Sequence, residues 1–242
     1  MKRTSRLLFA VLIFSLVGCT AAEVNRFLEA ASESALTEND VGRGLKEALV
    51  KGVTQGADLA SMEDGFLKND LIRIALPEDV QRVESTLRSI GLGGEVDRVI
   101  MTINRGAENA AKEAKPIFID AIRQLTIQDA WNILKGEDDA ATQYLQRTTT
   151  EKLTTLFRPH VEESLDQVGA TRYYGDLVNS YNSFPTTVRK LDPDLNAYVT
   201  QMAIEGLFQL VAKEERAIRE NPAERTTALL RRVFAAQDGA EN

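Results

Sequence analysis

Residues 193–220 constrain the fold of this chain more than any other stretch. Asp192-Pro193 opens them, Asn221-Pro222 closes them, and the middle reads MAIEGLFQLVA, interrupted only by Glu205 and Gln209. Those two, with Gln201 and Lys213, form one narrow polar stripe at i, i+4 spacing. A helix that is apolar around nearly its whole circumference must be covered on nearly all sides. The stretch therefore predicts the longest helix of the chain, standing at the centre of the core, with other helices packed around it.

The remaining punctuation is also helical. A helix from Thr37 through Leu45, Leu49 and Val53 towards Leu59 has Thr37 as its N-cap and Asp40 at the third position of a capping box variant. Pro77 suits the first residue of a helix running to Ile90, closed by Gly91. From Gly94 to Ala114, Val96, Ile100, Ile103, Ala107, Ala110 and Ala114 keep to one face. Gly106, Ala107, Ala110, Ala111 and Ala114 there are small enough for close approach by another helix. Pro116 starts a segment through Ile122, TIQD at 126–129 is a further cap, and Gly136 ends that helix. Asp138 is expected to cap a helix at 139–147, and Thr148 to Val168 to form another, bent or restarted at Pro159 and ended by Gly169. A last amphipathic helix turns Leu229, Leu230, Val233 and Phe234 inward. Leu71-Ile72-Arg73-Ile74-Ala75-Leu76 is the exception: short, β-branched and ended by Pro77, it reads as an extended segment or edge strand. The expected fold is all-α, a single multi-helix bundle-like domain over 37–236 with one extended segment near 71–76 and a flexible tail at 237–242.

The N-terminus reads differently. Lys2, Arg3 and Arg6 precede the oily run Leu7–Val17, the pattern of an export signal. A membrane-crossing helix needs about 20 apolar residues, and this run stops well short. Its exit, Leu16-Val17-Gly18-Cys19, resembles the lipobox of bacterial lipoproteins, which implies cleavage after residue 18 and acylation of Cys19, the sole cysteine. A single chain gives marginal membrane binding, whereas two signals hold stably. By the same resemblance, Thr20 in place of Asp points to the periplasmic face of the outer membrane. Residues 19–36 would form the lipidated end and a short, weakly helical tether.

Charge and composition exclude several functions. Lys+Arg number 29 against 36 Asp+Glu, a net −7; without residues 1–18, which hold three basic and no acidic residues, the balance is 26 against 36, or −10. That sign argues against a nucleic-acid partner. With Cys19 consumed by lipid, no disulfide or thiol chemistry remains. His160 is the only histidine, so zinc sites of the usual kinds and Ser-His or Cys-His nucleophiles lack their ligands or base. The residues call for no cofactor and no metal. GLGGE at 91–95 has no Lys-Ser/Thr and reads as a helix-to-helix turn, and GEDD at 136–139 lacks the alternating ligands of a calcium loop. Tyr173, Tyr174, Tyr181 and Phe184 form an aromatic set, with Tyr174 and Tyr181 seven apart on one helical face and core packing as their default role. Arg225, Arg231 and Arg232 on the last helix suit either anionic head groups or a solvated outer face.

Taken together, DGFLKNDLIRIALP at 64–77, LRSIGLGGEVD at 87–97, NRGAENAAKEAKPIF at 104–118, AIRQLTIQDAWNIL at 121–134, GEDDAATQYL at 136–145 and the closing RENPAERTTALLRRVF resemble the bacterial family catalogued as domain of unknown function 4197. The family pattern has Ala in place of Gly106 and Pro in place of Ala75. The resemblance implies a helical domain of exported bacterial proteins, often lipoproteins, and adds no catalytic residue.

Two functional readings remain. The first is a non-catalytic binding or scaffolding lipoprotein that presents a surface or groove to another envelope component or an apolar ligand. Its candidate contact residues are Arg73, Asn104, Arg105, Glu108, Tyr174 and Tyr181, with Arg105 and Glu108 close enough to pair with each other. A lipid carrier is a variant of it and needs a continuous apolar cavity. The second is a carboxylate-based hydrolase of envelope glycans, which needs two inward carboxylates about 5 to 10 Å apart across a cleft.

Overall fold

The nearly apolar helix forms at Leu195–Glu220, two residues later than expected and capped by Asp194, and the rest of the chain is built round it. A computed structural model describes residues 37–77, 80–183, 185 and 190–238, and the expected signal, Cys19 and tether lie outside the described residues. The described part is all-α: α1 (Glu38–Ser61), α2 (Gln81–Ser89), α3 (Gly93–Ala111), α4 (Ala114–Gln124), α5 (Ile127–Leu134), α6 (Ala140–Asp166), α7 (Ala170–Ser183), α8 (Leu195–Glu220) and α9 (Ala228–Asp238). A single 3-10 turn, Pro222–Glu224, joins the last two. Residues 38–242 cluster as one unit. No described helix is long and apolar enough to cross a membrane.

Helix α8 packs against α6, α1 and α3, and only its expected stripe, Gln201, Glu205, Gln209 and Lys213, is fully exposed over the central turns. Val199, Ala203 and Leu207 are 0 % exposed. Phe208 meets Phe118 of α4 edge to face, ring centres 5.7 Å apart. Each such side chain contributes about 1.5–3 kcal/mol by leaving water. The small-residue face of α3 does receive another helix: a Cβ at Gly106 would lie 3.0 Å from Ser164 Cβ of α6. Between α1, α8 and α9 the packing leaves a void of only about 20 Å³, room for about one water.

Several boundaries differ from expectation, beginning with the helix expected to open at Pro77, which opens at Gln81 and ends at Ser89. The two helices expected within 139–168 form one, α6 (Ala140–Asp166), whose 27 residues exceed the 26 of α8. Threonines 148, 149, 150, 154 and 155 do not break it, because each hydroxyl donates to a carbonyl four residues earlier, at 2.6–3.0 Å. Pro159 lies on its exposed side, while Leu153, Phe157, Val161 and Leu165, all 0 % exposed, hold the helix in the core past the missing bond. Ala114 belongs to α4 rather than α3, after a break at Lys112-Glu113. Gln237 and Asp238, expected in the tail, continue α9. The turns at Gly91 (φ +91°) and Gly169 (φ +66°) are left-handed, the conformation that favours glycine at helix ends.

The expected TIQD cap is complete. The Thr126 hydroxyl accepts from Asp129 N–H at 3.1 Å, and Asp129 accepts from Thr126 N–H at 3.0 Å and its hydroxyl at 2.6 Å. The hydroxyl first, then the backbone N–H, hold the Asp129 carboxyl below its ordinary 3.8, against the opposing effect of burial. A depressed carboxyl contributes stability above its unfolded pKa and loses it as pH falls through the folded value. The thermal midpoint of the native chain should therefore drop more steeply below pH 4 than that of Asp129→Asn. Melts at pH 5 and pH 2.5 check this, and parallel curves for the two chains would refute it.

Residues 71–76 form no strand, yet they alternate as one would: Leu71, Arg73 and Ala75 are exposed, Ile72 and Ile74 buried. Ile72 rests on Gly206 of α8, where a Cβ would approach Ile72 Cβ to 3.1 Å. Tyr198 of α8 donates its hydroxyl to Ala75 C=O at 3.2 Å. No described residue accepts from Ala75 N–H. Ala75→Pro removes no hydrogen bond, and the extended residue before it suits a following proline. It is expected to change stability by less than about 1 kcal/mol, in the stabilising direction, by restricting the unfolded chain. A lowered denaturation midpoint would contradict that account.

Candidate binding surface

The expected contact residues divide into clamps and surface groups. Asn104 on α3 is 0 % exposed; its Oδ1 accepts from Ile74 N–H at 2.9 Å, and its Nδ2 donates to Ile74 C=O at 2.9 Å and Ile100 C=O at 2.8 Å. One side chain thus supplies both bonds that a neighbouring strand would supply. Glu108, one turn along, accepts from Phe66 N–H at 3.1 Å and Leu67 N–H at 3.3 Å through Oε1, and from Arg105 at 2.6 Å through Oε2. Arg105 also donates to Asp64 at 2.7 Å, a residue in left-handed backbone at φ +66°. Lys68 first, then Arg105, hold the Asp64 carboxyl below 3.8. Asn104, Arg105 and Glu108 therefore fasten residues 63–74 across α3; Asn104 and Glu108 present almost nothing to a partner, while Arg105 keeps part of its side chain on the surface.

The other candidates are separate from this clamp. Arg73 is exposed and makes no ion pair among the described residues. The Tyr174 hydroxyl donates to Asp192 C=O at 3.2 Å, tying α7 to the approach to α8. Tyr181 lies in α7, but its side chain and Phe184 are outside the described residues. Tyr173, expected in the core by default, is 73 % exposed. Arg225 precedes the last helix instead of lying on it and is 3 % exposed, so it is neither a head-group contact nor a solvated residue. It donates to the carbonyls of Ile218 at 3.1 Å and Arg219 at 2.6 Å, and it stacks over Phe234. A cation on the last carbonyls of α8 suits that helix end.

A second carboxylate clamp had no sequence signal beyond an ordinary i, i+4 pair. Glu215 of α8 accepts from Ala141 N–H at 3.0 Å and from Thr142 N–H and hydroxyl, both at 2.9 Å, at the start of α6. Asp138 does not cap that helix; the N-cap position is Asp139, which makes no side-chain cap bond, and Glu215 supplies the anion instead. Arg219 bonds Glu215 at 2.9 Å and reaches the carbonyls of Ile133 and Leu134 at the end of α5, at 2.8 and 3.4 Å. The pair bridges the α5–α6 joint with each charge on the helix end of opposite sign. Glu108 and Glu215 are the buried carboxylates of the described core, and both oxygens of each are occupied by donors of the fold. Neither points into a cleft as glycan hydrolysis requires.

His160 is half-buried on the rim of a polar groove of about 470 Å³ between α3 and α6, with Arg105, Lys112, Glu113 and Glu163. Ser164 donates its hydroxyl to the backbone carbonyl of His160 at 2.9 Å, so the ring does not activate it. Among the described residues no three His, Cys, Asp or Glu converge as metal ligands.

The exposed stripe of α8 forms a ridge between two further grooves. On one side, a groove of about 250 Å³ is lined by residues 71–76, Tyr198, Met202, Glu205 and Gln209. On the other, a groove of about 580 Å³ runs between α6 and α8. Its floor is Thr200, Ile204 and Phe208, each 3–4 % exposed, and its α6 wall includes Thr150 and Thr154. The wall hydroxyls are turned back to their own helix, which leaves methyl groups as the wall's contribution. The Thr200 hydroxyl is buried with no partner, at a cost of about 1–3 kcal/mol. Glu205, on the ridge, accepts from Gln201 at 2.7 Å.

A family model described as "Protein of unknown function (DUF4197)" matches residues 35–235. No curated protein and no solved structure matches the chain.

Proposed function

Because the chain belongs to the family of proteins of unknown function DUF4197, a membership that carries no activity with it, we propose from its own residues that it is a non-catalytic binding module of the bacterial cell envelope, anchored by lipid at Cys19 to the periplasmic face of the outer membrane. The observation that carries this reading is the ridge of α8. Helix α8, covered on its other sides over the central turns, keeps Gln201, Glu205 and Gln209 exposed between two grooves. Ridge and grooves stand on packed helices, so their geometry is fixed before a partner arrives, which lowers the ordering cost of binding. The basic start, apolar run and Cys19 support the anchor, and two saturated buried carboxylates favour binding over hydrolysis.

Two measurements test it. Mass spectrometry of the native protein should find an acylated Cys19 at the mature terminus; an unmodified thiol, or a different terminus, removes the anchor. A photo-crosslinking residue at Gln201 or Gln209 should trap a defined partner in cells, whereas one at Glu162, on the exposed side of α6, should not. Equal labelling at all three positions, or none, counts against the ridge.

A further inference from the structure

The groove between α6 and α8 has the features of a built site. The two helices run antiparallel, since Glu215 late in α8 meets the start of α6 and Arg158 late in α6 meets Asp194 just before α8. From Gln146 to Arg158 the groove extends about 18 Å at the helical rise of about 1.5 Å per residue. Its interior is aliphatic and aromatic, from Ile204, Phe208 and the threonine methyls, and its rim is polar. Arg158 is the one cation lining it and stands at one end, with Asp194 engaging Nη2 at 2.9 Å. Thr200 lies towards that same end. Threonines 149, 150, 154 and 155 of α6 all bond back to their own helix, whereas the Thr200 hydroxyl, 3 % exposed, is left without a partner in the groove floor. A buried hydroxyl without a partner in the floor, a cation at one end and an elongated apolar trough fit a single acyl chain with a carboxylate at that end.

We propose that this groove binds a free long-chain fatty acid, with its carboxylate at Arg158 and Thr200 and its chain along Ile204 and Phe208. The inference rests on the binding-module reading and gives it a ligand class. The protein holds the acid on its surface, since the interior is filled.

The test uses the full-length chain in phosphatidylcholine nanodiscs and tetradecanoic acid carrying carbon-13 at its carboxyl, with empty nanodiscs as background. A separate bound carboxyl resonance is expected. It should vanish in Thr150→Trp, which fills the groove from an exposed helix position. Affinity should fall about five-fold or more in Thr200→Val and in Arg158→Gln, the loss of roughly one charge-assisted hydrogen bond. Thr200→Val deletes an unsatisfied hydroxyl and should melt no lower than the native chain, so weakened binding would not reflect misfolding. Tetradecanol should compete at least five-fold less well than the acid. The proposal is overturned by a spectrum no different from empty nanodiscs, by a resonance unchanged in Thr150→Trp, or by equal competition from the alcohol. A resonance seen only with Cys19→Ser would assign the groove to the chain's own acyl anchor and overturn it too. Crosslinks at Gln201 or Gln209 without a bound resonance retire the fatty acid and leave the binding module standing; loss of both retires both.

Discussion

Replacing Glu215 by alanine is expected to lower the stability of the domain by about 3–5 kcal/mol, the usual cost of removing one partner from a buried ion pair. Glu215 and Arg219 have side chains only 6 % and 7 % exposed, so Arg219 would be left charged in the interior. The same change deprives Ala141 N–H, Thr142 N–H and the Thr142 hydroxyl of their acceptor. Against a total stability of about 5–15 kcal/mol for an ordinary domain, the loss would be visible at once in urea unfolding followed by circular dichroism. The midpoint should fall with little change in slope, because the surface exposed on unfolding is nearly the same. Glu215→Met combined with Arg219→Met should recover part of the loss, because no uncompensated charge remains, but not all of it, since the start of α6 still lacks an acceptor. Full recovery would mean that the helix end contributes nothing. A single alanine variant within about 1 kcal/mol of the native chain would refute the clamp.

What the sequence made legible was local or periodic. The stripe of Gln201, Glu205, Gln209 and Lys213 identified the central helix because its spacing matches one helical face. The Thr126 cap was readable because its partner is three residues away. The small face of α3 foretold a close helix, though not that α6 would be the one. Features that failed to show depend on partners distant in the chain. Glu215 and Arg219 look like any surface pair until α5 and α6 fold against them, 73 to 86 residues away. Arg225 reads as an outer residue in the sequence because its acceptors are main-chain carbonyls, which carry no sequence signature. The division expected within 139–168 does not occur: the threonine hydroxyls there bond their own helix, and the bond lost at Pro159 is offset by buried neighbours. The binding surface was legible only in part: Arg73 lines the smaller groove, but Thr200 and Arg158 come together only when α6 and α8 do.

Asn104→Ala should be the second most damaging change, for a reason that concerns the main chain. Ile74 N–H and C=O are buried beside α3, and both are satisfied by one carboxamide. Deleting it leaves two buried backbone groups unpaired, at about 1–3 kcal/mol each. The segment would then loosen from α3 at Ile74 while still held through Glu108 at Phe66 and Leu67, so amide exchange should accelerate at Ile74 far more than at Phe66. Asn104→Asp sharpens the test. An ionised carboxylate can accept from Ile74 N–H but cannot donate to the Ile74 and Ile100 carbonyls, and burial among those oxygens raises its folded pKa above the unfolded value. A raised carboxyl is destabilising when ionised, so the variant should gain stability relative to the native chain as pH falls towards 4 and the acid regains a donor. An aspartate variant whose stability difference from the native chain is the same at pH 7.5 and pH 4.5, or an alanine variant that leaves Ile74 exchange unchanged, would show that the extended segment is held by its apolar contacts alone.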